Sequence, residues 1–284
     1  MNAVRGLPLT PFGLGTAALV LPYGAPAAER EAPDRAAAVA TIEAALEAGI
    51  AFIDTAPAYD GAEALVGEVT AGAPCVIATK LAPGAVRASV EASLTALRRD
   101  RLDLLQIHNA TPAQLAGDVV DAMEALRAEG LVTALGATVY GEEAALAVIA
   151  EPRLDAVQIA YSALDRRPER AVLPAAAAAG TTVIGRSALL RGVLSAAGRS
   201  LRGDFRELSA AADDLRRAAG VEWDQLAAVA VAFAAAQPGI ASVLLGPRDA
   251  AELAQLLAGG PLPPPGWHAE LDAALLDPSR WPTL

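Results

Sequence analysis

Short apolar runs alternate with longer stretches of helical periodicity along almost the whole chain. Each apolar run ends in turn residues, which is the pattern of buried parallel strands that open into loops. The predicted strands are Gly13–Ala17, Ala51–Thr55, Cys75–Lys80, Leu102–His108, Ala134–Val139, Ala156–Ser162, Thr181–Ser187 and Ser242–Gly246.

Alanine-rich segments between these runs predict helices. The first begins at a capping aspartate, Asp34, and ends before Gly49, as helices commonly do. The predicted helices are Asp34–Ala48, Ala62–Thr70, Ala85–Arg98, Gly117–Glu129, Glu142–Ile149, Pro168–Ala179, Trp223–Ala236 and Ala250–Ala258. Eight strands, each followed by a helix, are typical of the (β/α)₈ or TIM barrel, an α/β fold.

A doubly wound sheet is the competing fold, but no G-x-G-x-x-G motif follows the first strand. We expect a single domain over residues 1–284 with one long connection, Arg191–Gly220, between the last two strands. This connection carries a predicted extra helix at Asp204–Ala218, and long connections on a barrel commonly serve function. A short tail over residues 259–284 offers Glu270–Leu276 as a final helical turn or two.

Composition narrows the possible partners. The chain has 284 residues, is 54% hydrophobic and carries a net charge of −11, which argues against binding to nucleic acid or to anionic membranes. No apolar run approaches the roughly 20 residues that span a bilayer. A cleavable leader would remove the first predicted strand, so we expect a cytoplasmic protein. We also expect a monomer or a weak homo-oligomer. The single cysteine excludes an internal disulfide and a cysteine-rich metal site.

Four polar side chains stand at or just after the ends of three consecutive strands. Asp54 and Tyr59 follow the second strand, Lys80 ends the third, and His108 ends the fourth. Lys80 is the only lysine among 22 lysine and arginine residues, and His108 is one of two histidines. Each has a structural explanation when taken alone, as a turn cap, a core phenol, an ion-pair partner or a core imidazole. Neighbouring barrel strands would bring them together, which favours a catalytic site.

The chemistry of these four groups suits proton donation to a carbonyl. A phenol with a pKa near ~10 is a weak acid, and a nearby cation lowers that pKa. We expect Asp54 to hold Lys80, Lys80 to acidify Tyr59, and His108 to orient an oxygen atom. No nucleophile has an adjacent base and no metal-ligand cluster is visible, so we expect no metal. The second reactant is then hydride from a nicotinamide.

These residues resemble the aldo-keto reductase family. The segment Asp54–Tyr59 is similar to the family's second-strand motif, Glu63–Gly67 fits the turn that follows, and Lys80 and His108 complete its Asp/Tyr/Lys/His tetrad. The resemblance extends over the whole chain and favours the bacterial branch that includes sugar 1-dehydrogenases. The other matching segments are Gly13–Thr16, Gln158–Tyr161, Arg186–Leu194 and Gly246–Arg248.

The resemblance implies roles for further residues. Tyr59 would donate the proton, and Gln158 would face the nicotinamide carboxamide. The implied cofactor-binding residues are Thr16, Asp54, Thr138, Gln158, Arg186, Ser187, Leu189, Arg191, Gly192, Gly246, Arg248 and Glu252. The implied substrate-binding residues are Tyr23, Tyr59, His108 and Asn109. Arg186 stands where many members stack an aromatic ring on the nicotinamide, and a flat guanidinium can also stack.

The resemblance implies NADP(H) as the cofactor. NAD(H) stays open, because Asp249 and Glu252 flank Arg248 near the adenosine ribose. The expected function is reduction of a small aldehyde, ketone or sugar. One alternative is an NAD(P)-dependent sugar (aldose) 1-dehydrogenase working in the oxidative direction. Alternatives of another class are a cofactor-sensing regulatory subunit and a non-redox tailoring enzyme on the same fold.

Overall fold

In the computed structural model, eight parallel strands close into a barrel that is surrounded by helices. The structure describes residues 2–24, 31–82, 84–278 and 281. A short hairpin, β1 (Ala3–Val4) and β2 (Leu7–Pro8), precedes the barrel. The barrel strands are β3 (Phe12–Gly15), β4 (Phe52–Asp54), β5 (Val76–Lys80), β6 (Leu102–Ile107), β7 (Val132–Thr138), β8 (Ala156–Ala160), β9 (Thr182–Arg186) and β10 (Ile240–Leu245). Pairing of β10 with β3 closes the ring, so the predicted (β/α)₈ fold is confirmed.

The predicted helices are present, with ends shifted by a few residues. The helices are α1 (Ala17–Val20), α2 (Arg35–Glu47), α3 (Ala62–Val69), α4 (Val86–Leu97), α5 (Pro112–Leu115), α6 (Val119–Ala128), α7 (Glu142–Ala150), α8 (Val172–Ala179), α9 (Arg206–Ala219), α10 (Leu226–Ala235) and α11 (Ala250–Leu257). The short α1 and α5 were not expected. Asp34 caps α2 by accepting a hydrogen bond from the Ala37 amide, as its position predicts. Within the described residues, no helix is long and apolar enough to cross a membrane.

The barrel interior is apolar near the start of the strands. Phe52 is fully buried there, and Gly13 leaves room for it, since a methyl group at Gly13 would lie 2.6 Å from the Phe52 ring. The interior cluster comprises Val4, Leu9, Phe52, Val76, Ala78, Leu104, Ala134, Ala156, Ile184 and Leu244. Because Val4 and Leu9 come from the N-terminal segment, the hairpin closes this end of the barrel.

Polar side chains replace the apolar ones one layer further along. Side chains on a strand alternate between its two faces, so a residue two positions after an interior residue also faces inward. Counting two positions from Phe52, Ala78, Leu104, Ala156 and Ile184 gives the polar layer. Its members are Asp54, Lys80, Gln106, Gln158 and Arg186. The carboxyl ends of the strands therefore carry a ring of polar groups above an apolar plug.

Packing explains part of the segment that follows Tyr59. A methyl group at Gly67 would lie 2.5 Å from the carbonyl oxygen of Ala96, so only glycine permits the close contact of α3 with α4. Glu63, on α3, is buried and accepts a hydrogen bond of 2.6 Å from the Thr79 hydroxyl on β5. These two residues fix α3 against the strand that carries Lys80.

The long connection and the tail form a second apolar cluster beside the barrel. Leu208 and Leu215 on α9 are buried in it, and the tail contributes Leu276. The extra helix is present, but the predicted helix at Glu270–Leu276 is wrong, because this segment forms only a turn. Arginine side chains bind the tail's backbone carbonyls, which favours an extended course. The bonds run from Arg166 to Trp267, from Arg167 to Ala273 and from Arg191 to Pro278.

Candidate active site

The structure brings the four predicted catalytic residues together. Lys80 Nζ donates hydrogen bonds to Asp54 Oδ2 at 2.6 Å and to the Thr55 carbonyl at 2.8 Å. The same Nζ lies 5.0 Å from the centre of the Tyr59 ring. The rings of Tyr59 and His108 are nearly perpendicular, with centres 6.1 Å apart. Consecutive strands thus place a carboxylate, an ammonium, a phenol and an imidazole in one cluster.

The Asp54 carboxylate is held by three donors. Lys80 occupies Oδ2, while Oδ1 accepts hydrogen bonds from Gln106 at 3.1 Å and from Gln158 at 2.8 Å. Asp54 is 4% exposed, and a buried ion pair is stable only when its remaining polar atoms are hydrogen-bonded.

Gln106 was missed by sequence reasoning. An amide inside an apolar strand, two residues before His108, was the available signal.

Burial dominates the electrostatics of Lys80. It lowers the Lys80 pKa, and the adjacent Asp54 carboxylate acts in the opposite direction. The guanidinium of Arg186 lowers the Lys80 pKa further, and the Glu63 carboxylate raises it. Lys80 therefore depends on Asp54 to stay charged in the core.

The pKa of Tyr59 is raised above its ordinary value, first by burial and then by the negative charge of Asp54. The expectation that Lys80 brings the Tyr59 pKa below its ordinary value is wrong for this structure, because burial and the Asp54 charge raise that pKa. Asp54 lies 2.6 Å from Lys80 Nζ and offsets part of its positive charge. Arg186 lowers the Tyr59 pKa, but by less than burial and Asp54 raise it. Tyr59 therefore keeps its proton at neutral pH, which is the form that a proton donor needs.

His108 is held in its neutral form. Burial and then the positive charge of Lys80 lower its pKa to about 4. A neutral imidazole carries one N–H donor and one acceptor nitrogen, which suits orientation of an oxygen atom rather than charge stabilisation.

We expect His108 to remain neutral from pH 8 down to about pH 5. Because its folded pKa lies below the ordinary value of about 6.5, protonation favours the unfolded state. The stability that neutral His108 retains is full above about pH 6.5 and falls as the pH drops toward 4. An NMR pH titration of the imidazole signals checks this, with His108→Asn assigning the two histidines. Titration of His108 above pH 6 would contradict the expectation.

One cleft runs from this cluster across the carboxyl end of the barrel. Most of the predicted cofactor residues line it, together with Tyr23 and Tyr59. The lining includes Thr16, Tyr23, Asp54, Tyr59, Gln158, Arg186, Ser187, Leu189, Arg191, Gly192, Gly246, Arg248 and Glu252. Lys80 and His108 contact the ring of Tyr59 and are not part of the cleft lining.

The structure does not place Thr138 or Asn109 in the wall of this cleft. The Thr138 hydroxyl accepts a hydrogen bond of 2.8 Å from the backbone amide of Asn109. Asn109 is exposed and has a positive φ of 53°, a conformation that asparagine tolerates better than most residues. Thr138 therefore fixes the turn after His108.

The loop after β9 has a strained backbone. Ser187, Leu190 and Arg191 have φ values of 61°, 45° and 53°. Left-handed conformations cost non-glycine residues of order 1–3 kcal/mol each, and such strain clusters at binding sites. The Arg191 guanidinium lies 5.9 Å from the Tyr23 ring centre, so the loop crosses one side of the cleft.

A charged pair marks the far end of the cleft. The Arg248 amide donates a hydrogen bond of 2.9 Å to Glu252 Oε2, and Arg248 Nε lies 3.3 Å from the same oxygen. Asp249 caps α11 by accepting a hydrogen bond from the Glu252 amide at 2.7 Å. Glu252 thus offsets the charge of the arginine there.

A sequence model of the aldo/keto reductase family matches residues 11–264. The chain belongs to the aldo-keto reductase family. Aldo-keto reductases are oxidoreductases that use nicotinamide cofactors and small-molecule substrates, and their (β/α)₈ barrel is the fold described above.

Two bacterial enzymes are similar in sequence to part of the chain. The NADH-specific methylglyoxal reductase of Escherichia coli (strain K12) is 30% identical over 218 residues, 66% of this chain and 66% of that protein. The D-threo-aldose 1-dehydrogenase of a Pseudomonas species is 29% identical over 214 residues, 68% of this chain and 63% of that protein. The alignments cover only 55% and 58% of two Bacillus subtilis relatives.

The fold extends over nearly the full length of a solved relative. The structure of a glycerol dehydrogenase from Gluconobacter oxydans is similar with a TM-score of 0.74 at 25% identity. The alignment covers 94% of this chain and 90% of that one.

Proposed function

We propose that this protein reduces the carbonyl group of a small aldehyde, ketone or sugar at the expense of NAD(P)H. The observation that carries the proposal is the cluster of Asp54, Lys80, Tyr59 and His108 at the inner end of the cleft. Family membership supports it, because aldo-keto reductases are oxidoreductases.

Tyr59 is the proposed proton donor. It holds its proton over the neutral pH range, and Lys80 Nζ, 5.0 Å from its ring centre, would stabilise negative charge that develops on the phenol oxygen. Neutral His108 would orient the carbonyl oxygen, and Asp54 would hold Lys80 in position. The bound nicotinamide would supply hydride to the carbonyl carbon.

The cleft residues fit a nicotinamide dinucleotide. Gln158 uses its amide nitrogen on Asp54 and Gln106, which leaves its carbonyl oxygen for the nicotinamide carboxamide. The pyrophosphate would be held by Ser187, Leu189, Arg191 and Gly192. Thr16, which lies beside Asp54, would also bind the cofactor. Gly246, Arg248 and Glu252 would lie along the adenosine.

We expect NADPH and NADH to bind with dissociation constants within about tenfold of each other. Arg248 favours a 2′-phosphate, but Glu252 offsets its charge at 3.3 Å. Glu252→Gln should raise the preference for NADPH several-fold, and Arg248→Gln should lower it. Isothermal titration calorimetry with both cofactors measures the ratio.

Glu207→Gln on α9 is the matched control, since it makes the same charge change at an exposed site outside the cleft. It should leave the ratio of the two affinities unchanged. An equal effect of Glu207→Gln and Glu252→Gln would remove Glu252 from the cofactor site. Failure of both cofactors to bind the wild-type protein would contradict the proposed function.

The oxidative direction is the second candidate, because a Pseudomonas relative is a D-threo-aldose 1-dehydrogenase. The same residues would serve it, with the deprotonated form of Tyr59 accepting the proton of the sugar hydroxyl while hydride passes to the oxidised cofactor. Initial rates with aldoses and oxidised cofactor, compared with rates on aldehydes and reduced cofactor, distinguish the two directions.

Three expectations from the sequence stay predictions. These are a cytoplasmic location, a monomeric or weakly associated state, and a single domain over the whole chain.

A further inference from the structure

Arg186 is a cation in the cleft, and it has no anionic partner among the described residues. Its guanidinium stacks 4.2 Å from the Tyr140 ring centre, and it donates hydrogen bonds to the Val139 carbonyl and the Ser187 hydroxyl. No carboxylate of the described residues lies within ion-pair distance of it. A guanidinium has five donors, so the two hydrogen bonds leave three unused by the described part of the chain.

The unpaired charge lies close to the reacting groups. Arg186 ends β9 in the polar layer that also holds Asp54 and Gln158, and it lines the cleft with Tyr59. Its positive charge acts on the pKa values of Tyr59, Lys80 and His108, lowering all three. Two other cations of this region, Lys80 and Arg248, pair with carboxylates, Asp54 and Glu252 respectively.

The positive charge of Arg186 stands out because the protein as a whole is strongly acidic. With a net charge of −11, the surface as a whole repels anions, yet the cleft exposes guanidinium groups at Arg186 and Arg191. Clefts lined by one sign of charge concentrate ligands of the opposite sign. Arg191 lies on the strained loop assigned to the pyrophosphate. Stacking of Arg186 on the nicotinamide would use a flat face of its guanidinium, which leaves the N–H donors at the edge for the substrate.

We propose that the physiological substrate carries a carboxylate near its carbonyl group, and that Arg186 binds this carboxylate beside Tyr59. The substrate class is therefore that of aldehyde acids or keto acids, which reduction converts to hydroxy acids. This inference rests on the proposed function. Arginine suits the role because its planar donors match a carboxylate in two parallel hydrogen bonds. One face of the guanidinium is fixed by Tyr140, so the group is positioned in advance.

The test compares acids with their own methyl esters. Succinic semialdehyde and 4-carboxybenzaldehyde are each paired with the methyl ester, and kcat/KM is measured with the cofactor that binds more tightly. The wild-type enzyme should prefer each acid by at least about tenfold. Arg186→Gln should reduce the acid-to-ester ratio by about tenfold to a hundredfold, and Arg186→Lys should retain part of the preference.

The ratio separates substrate binding from a general effect on Tyr59. Loss of the Arg186 charge changes the field at Tyr59 for acid and ester alike, so that effect cancels in the ratio. Arg217→Gln is the matched control, because Arg217 is 59% exposed on α9 and pairs with Asp213. It should leave the ratio at the wild-type value.

Two outcomes would overturn the inference while the proposed function stands. One is reduction of the esters as fast as the acids by the wild-type enzyme. The other is an acid preference that survives in Arg186→Gln. If the wild-type enzyme oxidises NAD(P)H with none of these compounds and not with 4-nitrobenzaldehyde, a strongly electrophilic neutral aldehyde, the proposed function itself fails.

Discussion

Tyr59→Phe should lower kcat by about a hundredfold to ten-thousandfold while leaving cofactor affinity within a few-fold. The substitution removes only the phenol oxygen, which makes no hydrogen bond to any described residue, so stability should change by less than about 1 kcal/mol. Steady-state kinetics, cofactor titration and thermal unfolding of the same preparation measure all three quantities. Near-normal turnover would remove Tyr59 from the role of proton donor.

Tyr161→Phe is the matched control for Tyr59→Phe. The Tyr161 hydroxyl lies outside the cleft and donates a hydrogen bond of 2.7 Å to Glu169 Oε1. A second acceptor, Gln237 Oε1, lies 2.9 Å from the same hydroxyl. Its removal should cost about 1–2 kcal/mol of stability and leave kcat near the wild-type value. The two variants thus have opposite expected effects on activity and on stability. A similar loss of activity in both would indicate that the phenols act through the fold.

Lys80→Met should abolish turnover and destabilise the protein by about 3–5 kcal/mol. Lys80 is 1% exposed, and its loss would leave the Asp54 carboxylate buried without a cation. Lys80→Arg keeps the charge but forces a broader group into the same space, so it should also be nearly inactive. Denaturant unfolding and steady-state kinetics check both variants.

The double variant Asp54→Asn/Lys80→Met distinguishes catalysis from stability. Removing both charges eliminates the unpaired carboxylate, so much of the lost stability should return while activity stays absent. Recovery of activity in the double variant would show that the pair is structural only. An active Lys80→Arg variant would show that the single lysine need not be lysine.

Much of the fold follows from local patterns. Apolar runs that end in turn residues and alternate with alanine-rich helices predict a parallel barrel, and the strands lie where these runs stand. The tail shows the limit of this reasoning. Glu270–Leu276 has a helical composition, yet arginines on the barrel bind the tail's carbonyl groups, and no local pattern reveals such distant donors.

The site was predictable where position along a strand sufficed. Asp54, Lys80 and His108 stand at or directly after strand ends, and parallel strands bring their ends to one edge. Gln106 was missed because its role depends on strand alternation and on register, since Lys80 pairs with Gln106 across β5 and β6. The hydrogen bond from Gln158 to Asp54 joins residues that are 104 positions apart.

The sequence by itself determined the barrel and the identity of the four clustered side chains, because both depend on periodicity and order along the chain. Only the tertiary structure decided their electrostatics. Burial raises the pKa of Tyr59 where the sequence predicted acidification by Lys80, since the compensation of Lys80 by Asp54 is a matter of distance. The unpaired charge of Arg186 likewise depends on which carboxylates the fold places near it. Burial and distance are properties of the packed chain, so they appear only when the strands meet.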